Sequence, residues 1–270
     1  MYIKKTIIAG RTIEVIKYHD RAHQKKGGSK SEKKNKTSLK QMISNALRRE
    51  AKLRWLLNEN FSDGDLHINF GYIHRKGDPY REPEDMKKDF QRFVRKLREE
   101  YRKQGREMKW VHVMEVGSRG SRHHHVVLNH IDTRIIQEVW DQVYPDKAPG
   151  RKGSTIHFSP LNTNGDYARL ASYLLKTAGK DESIMKQGYS RSRNLRLPKI
   201  KREVVGASTF RKEPKPPEGY FIEKDSVRRS IDGDGYDWMT YRMVWIGGTN
   251  DHKDDRHGPG GLHRRRRRRC

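Results

Sequence analysis

Three consecutive histidines, His123, His124 and His125, open the apolar run HHHVVL within residues 122–130. Imidazoles in such a run can hold a metal ion or carry a proton. If the run is a strand, alternation sends His123 and His125 to one face and His124 to the other. Two imidazoles on one pleated face can grip a divalent cation, although pairs of this kind also arise by chance in a chain with 13 histidines. Glu115 closes the preceding β-like run KWVHVMEVG (109–117), and a hairpin turn around SRGS brings it near His123. One carboxylate with two imidazoles is a mixed hard and borderline donor set, suited to Mg2+ or Mn2+ with positions left open for phosphate oxygens. Two other readings stand beside it. Glu115 can pair with Arg119 or Arg122 at the hairpin end, and the histidines can form a structural zinc site with His112 or His130.

A candidate nucleophile follows in NGDYARLASYLLKTAGK (164–180). Helical spacing groups Leu170, Ala171, Leu174 and Ala178 with Tyr167, whereas Tyr173, Lys176 and Lys180 share the other flank. Tyr167 therefore reads as core, and Tyr173 as a phenol beside two ammonium groups. A phenol ionises near pH 10, so about one molecule in a thousand is phenolate at pH 7, a handicap of ~4 kcal/mol. Neighbouring lysines favour the phenolate and stabilise charge on a phosphate under attack. With a divalent ion polarising the scissile phosphate, these parts describe a tyrosine transesterase. Its substrate is a phosphodiester, and its products are a covalent phosphotyrosine link and a free 3′-hydroxyl.

The elements needed to position these residues can be read from periodicity. Residues 2–18 form a β-hairpin, and the Lys-, Gly- and Ser-rich segment after it is a basic linker. Leu39, Met42, Ile43, Ala46, Leu53, Leu56 and Leu57 lie at helical spacing among Arg and Lys, giving either a solvated basic face or a contact with DNA backbone. Leu66, Ile68, Phe70 and Tyr72 alternate as in a strand. Met86, Phe90, Phe93, Val94, Leu97 and Tyr101 make one helical stripe behind Pro83. Strands at 109–117 and 122–130, a helix from Asp132 or Thr133 to Tyr144, a strand at 153–161 and a late aromatic strand at 235–248 complete the set. Hairpins mixed with helices predict an α+β fold, with a central antiparallel sheet flanked by helices and with basic N- and C-terminal extensions. The boundaries expected are 1–59 for the N-terminal hairpin, linker and helix, 60–200 for the domain bearing the chemistry, 201–250 for a strand-rich extension, and 251–270 for an arginine-rich tail.

Composition narrows the partners. Lys and Arg number 60 against 34 Asp and Glu, a formal charge of +26 that makes a polyanion, and nucleic acid first, the expected partner. A membrane surface is the weaker alternative, because no segment joins a basic face to a run of Trp, Phe and Leu. A lone cysteine, Cys270, excludes a disulfide or a Cys-based zinc site within one chain. No apolar stretch approaches the ~18 residues of a membrane span, so a soluble protein of a reducing cytoplasm is expected.

Several motifs stand in order over roughly residues 60–200: LHINFGY (66–72), HHH (123–125), YLLK (173–176), and SRSRNL followed by Pro198. Together they resemble the HUH endonuclease superfamily and, within it, the single-tyrosine rolling-circle replication initiators (Rep) of single-stranded DNA phages and related mobile elements. The resemblance implies an HUH/Rep-type nuclease domain that nicks and rejoins single-stranded origin DNA through a 5′-phosphotyrosine intermediate. Carried over by position, His123, His125 and Glu115 are the ligands of Mg2+ or Mn2+, Tyr173 is the nucleophile and Lys176 is an active-site lysine. The chain departs from the pattern at His124, where the family has a bulky apolar residue, and at Asn69 and Gly71, where threonine is commoner. It has no helicase P-loop, so a host helicase and polymerase in a bacterial cytoplasm are the expected partners. Arg119, Arg122, Lys180, Arg191 and Arg193 are expected DNA contacts, and Trp55, Tyr72 or Trp238 can stack on unpaired bases. A relaxase or transposase of the same superfamily is the nearest alternative. A non-catalytic basic nucleic-acid-binding protein is the alternative from another class.

Overall fold

A computed structural model describes residues 1–20, 39–74, 76–77, 79–116, 120–144, 154–163, 165–178 and 188–247. The basic linker, Arg119, Lys180 and the arginine tail fall outside these residues. In chain order the elements begin with β1 (Tyr2–Ala9), β2 (Thr12–His19), α1 (Leu39–Asn60), β3 (Leu66–Tyr72), α2 (Pro83–Lys103), β4 (Trp110–Val116), β5 (Arg122–Leu128) and α3 (Thr133–Val143). They continue with β6 (Ser154–Pro160), α4 (Ala168–Ala178), β7 (Ser190–Arg191), β8 (Lys199–Val205), β9 (Tyr220–Ile222), β10 (Arg228–Ile231) and β11 (Asp237–Trp245). Among the described residues no helix is long and apolar enough to cross a membrane.

The chain divides into two units, Met1–Ser44 with Leu197–Cys270, and Asn45–Arg196. In the first, β1 and β2 pair from Tyr2 opposite His19 to Ala9 opposite Thr12. Gly10, at φ 52°, makes the turn in a conformation that side chains disfavour, and the Thr12 hydroxyl donates to Ala9 O at 2.8 Å. The hairpin does not stand alone. The sheet runs β10-β11-β2-β1-β8 with β9 beside β11, so strands from after residue 197 flank the first two on both sides. Residues 1–59 and 201–250, expected as separate regions, have strands joined by backbone hydrogen bonds in one sheet. Val15, Phe210, Tyr220, Met239, Tyr241 and Met243 form its core.

The second unit is built on an antiparallel sheet of order β6-β3-β5-β4-β7. Helix α2 starts with Pro83, carries Glu84 and Asp85 in its first turn and Arg102 and Lys103 in its last, each sign matched to the helix dipole. Its predicted stripe, Met86, Phe90, Phe93, Val94, Leu97 and Tyr101, is buried throughout. Asp132 caps α3, accepting from Arg134 N at 2.9 Å. Helices α2 and α3 cover the sheet face of Ile68, Phe70, Val126 and Leu128, closing over Trp140. The opposite face, with Val111, Val113 and Val127, packs against Leu53 and Leu57 of α1 and against Tyr167, Ala171 and Leu174. The fold is therefore α+β, an antiparallel sheet between helices, as periodicity predicts. In α1 only the second half of the apolar stripe is covered: Leu53, Leu56 and Leu57 are buried, whereas Leu39, Met42 and Ile43 are exposed.

Candidate active site

Strand β5 lies inside the sheet with a neighbour on each edge, so its register places every residue around it. Gly71 and Glu115 stand opposite His123, Asn69 and Val113 opposite His125, and His67 and Val111 opposite Val127. Directly opposed residues share a face, which gathers His67, Asn69, Gly71, Glu115, His123 and His125 on the side packed by α4. His124 goes to the other side, as alternation requires, and is fully buried there.

Side-chain contacts refine the register. Glu115 opposes His123 in the backbone, yet its Oε2 receives a hydrogen bond from His125 Nε2 at 3.0 Å. The expected nearness of Glu115 to His123 holds, and its carboxylate also reaches the diagonal neighbour on the same face, as sheet twist and a long side chain allow. The rings of His123 and His125 are 6.4 Å apart between centroids. Tyr173, 46% exposed, projects from α4 while Tyr167 is 1% exposed, which separates the two tyrosines as helical spacing does. The Tyr173 ring meets His125 edge-on at 5.5 Å and His67 at 6.1 Å between centroids. Lys176 is exposed on the same helix.

The other predicted contacts scatter. Arg122 donates to the carbonyls of Arg81 at 3.1 Å and Gly120 at 3.2 Å and lies over the Tyr80 ring, so its guanidinium is engaged at the hairpin end. Arg191 pairs with Val111 at the sheet edge and is exposed, as is Arg193 in the turn after it. Tyr72, a stacking candidate by sequence, points instead into the α2 and α3 side and is held there by Asp89 and His124. Nor do the zinc alternatives converge: His112 bonds His124 on the far face, and His130 is exposed beyond the end of β5.

Three residues of the site lie on β3: His67, which nothing singles out in the sequence, and Asn69 and Gly71, which stand out there only as departures from the HUH pattern. Reading β3 for its apolar face, Leu66 to Tyr72, leaves His67, Asn69 and Gly71 on the face with His123 and His125. The same alternation is the signal that finds them. Gly71 supplies space: a Cβ there would lie 2.7 Å from Thr155 Oγ1 and 3.2 Å from His123 Nδ1. Any side chain at this position must push the Thr155 hydroxyl aside and crowd the His123 ring.

Burial lowers the proton affinity of these imidazoles. His67 is held down to about 4 by desolvation and then by His125, and His123 is lowered by the same two causes. Desolvation, followed by His125 and His123, takes His124 to about 3. An unfolded histidine takes up its proton near pH 6.5. Between pH 6.5 and about 4 the unfolded chain therefore binds more protons than the folded one, and stability falls as the pH is lowered through that window. Thermal melts followed by circular dichroism at pH 7, 5.5 and 4.5 are expected to show a falling Tm. The fall should be shallower in His67→Asn, and equal slopes in the two proteins would count against a neutral buried His67.

The donors on this face bear on whether a divalent ion fits. Among the described residues, no three His, Cys, Asp or Glu side chains stand together in metal-holding positions. What the face offers is the His125–Glu115 pair, together with buried polar atoms that lack hydrogen-bond partners: His67 Nε2, Asn69 Oδ1, His123 Nδ1 and His125 Nδ1. Buried groups of this kind are costly unless something satisfies them. Imidazole nitrogen, amide oxygen and carboxylate oxygen all suit Mg2+ or Mn2+. The chemistry of the donors fits the ion.

No curated protein and no solved structure matches the chain. Residues 78–182 match a family described as Replication-associated protein, a span that holds Glu115, all three histidines, Tyr173 and Lys176. Over α2 to α4, the chain is thus similar to replication-associated proteins, and the match supports a Rep-type replication initiator.

Proposed function

We propose that this chain is a rolling-circle replication initiator of the HUH type, which nicks and rejoins single-stranded DNA at an origin. One observation carries the reading: an exposed tyrosine stands edge-on to an imidazole that is paired with a carboxylate, within the span similar to replication-associated proteins. Tyr173 Oη attacks the phosphorus, its proton passing to solvent or to a nearby base. The bond from phosphorus to the 3′ oxygen breaks, and that oxygen takes up a proton to become the free 3′-hydroxyl. The 5′ side of the break stays joined to Tyr173. Rejoining is the same exchange in reverse, with a 3′-hydroxyl displacing the tyrosine.

His125, Glu115 and His123 would hold the divalent ion, which would supply withdrawal of charge from the scissile phosphate. Glu115 keeps the His125 ring turned toward Tyr173, and Gly71 leaves His123 its room. Lys176, Arg191 and Arg193 are exposed cations suited to the approaching phosphates, whereas Arg122 is engaged by backbone carbonyls. Unwinding and copying fall to a helicase and polymerase of the host. A relaxase or transposase would use the same chemistry on another DNA target.

The test is an incubation of the full chain with single-stranded candidate-origin DNA. Mn2+ is expected to yield a denaturation-resistant adduct, and chelation by EDTA to remove it. Salt-sensitive binding with no adduct under any metal would leave only a nucleic-acid-binding protein.

A further inference from the structure

The residue that departs most from the HUH pattern, His124, is the centre of a buried hydrogen-bonded chain on the sheet face turned away from Tyr173. The chain begins at Asp89 of α2, fully buried, which accepts from Arg81 Nε and Nη2 at 2.9 Å each and from Arg92. Tyr72 of β3 also donates to Asp89, at 3.1 Å. Its only proton is then committed, so Tyr72 Oη must accept the bond from His124 Nε2 at 2.8 Å. With its proton on Nε2, His124 can only accept at Nδ1, and His112 Nε2 of β4 lies 2.9 Å from it. His112 Nδ1 must in turn accept from the Ser190 hydroxyl of β7 at 3.1 Å. Each link fixes the direction of the next, and both nitrogens of His124 are engaged. Phe90 stacks on His112 at 3.5 Å, and Trp140 stands edge-on to His124 at 5.7 Å, so the rings have little freedom to turn.

We propose that His124 is a positioning residue, which pins β5 from behind through this chain and so sets where His123 and His125 stand on the opposite face. The chain ties α2, β3, β5, β4 and β7 to one side chain. An apolar residue at 124 would leave Tyr72 Oη and His112 Nε2 facing each other across a gap, buried and short of a partner. That protein would have to shift β5 or admit water, and either moves the two histidines next to it. The proposal rests on the reading in which His123 and His125 belong to the active site.

The test is nitrogen-15 NMR of histidine-labelled full chain without metal. His124 and His112 are both expected as Nε2–H tautomers, and His125 Nε2–H should show the downfield, exchange-protected proton of its bond to Glu115. His124→Leu should lose that His125 signal. His124→Gln, whose amide offers one donor and one acceptor, should keep it. If His124→Leu does not fold, Tyr72→Phe/His124→Leu, which also removes the hydroxyl that has lost its His124 donor, carries the same readout. In the folded leucine variants Mn2+ affinity is expected to fall about tenfold or more, the size seen when the support of a metal-binding histidine is lost, whereas His124→Gln should keep it. An Nδ1–H tautomer at His124, or an unchanged His125 signal in a folded leucine variant, overturns the proposal. Should the leucine variant lose the His125 signal while the wild-type chain binds no Mn2+, the metal-dependent nuclease reading falls and only the hold of His124 on the His125 geometry stands.

Discussion

Tyr173→Phe is expected to abolish the covalent adduct with single-stranded origin DNA while leaving binding of that DNA within about twofold. The substitution removes one oxygen and keeps the ring, so the edge-on contacts with His125 and His67 persist. A side chain that is 46% exposed contributes little to the core, so the fold is expected to be unchanged. The chemistry, by contrast, has no second tyrosine to turn to on α4, and Tyr167, just before it, is 1% exposed and faces the core. Loss of a group that forms the covalent bond costs at least about a thousandfold in rate. Gel analysis of a labelled oligonucleotide after denaturation reads the adduct, and fluorescence anisotropy at fixed salt reads the affinity. An adduct that survives the substitution would mean that another residue attacks, and the assignment of Tyr173 would be abandoned.

Asp89→Ala carries the largest expected effect on stability. Its carboxylate is completely buried, and three donors from different parts of the unit converge on it: Arg81, Arg92 and Tyr72. Removing it takes away the acceptor of the Tyr72 proton and the partner of two guanidinium groups that are 30% and 49% exposed. Breaking one side of such a buried set costs about 3–5 kcal/mol, a large share of the ~5–15 kcal/mol that holds a domain together. Because the guanidiniums can reach water, the lower end is expected. Arg92→Ala removes only a half-exposed partner and should cost below about 1 kcal/mol. Urea unfolding gives both numbers. A difference between the two variants smaller than about 1 kcal/mol would show that water replaces the carboxylate's partners, and the buried chain would lose its anchor.

Much of this site is legible in the sequence because strands and helices have short, fixed periods. Alternation alone puts His123 and His125 on one face and His124 on the other, and the register agrees. Helical spacing separates Tyr173 from Tyr167, and exposure agrees. The stripe of α2 appears as read, since a buried helical face must recur every three or four residues. His67 is equally legible, on the polar face of a strand whose apolar face draws the eye. Less accessible is the pairing of Glu115 with His125, which depends on sheet twist and side-chain length rather than on position along the strand.

Local pattern is enough to set the order of elements, the face each candidate residue takes, and the strongly basic character that points to nucleic acid. Those properties follow from periodicity and composition, which need no knowledge of distant neighbours. Only long-range pairing reveals that the first hairpin shares a sheet with strands from after residue 197. It also explains how an imidazole can stand where the family pattern has an apolar side chain. His124 is tolerated in the core because Tyr72 and His112, from the strands on either side, satisfy both its nitrogens. A buried polar ring is stable only when such partners exist, and which strands supply them is encoded by no local pattern.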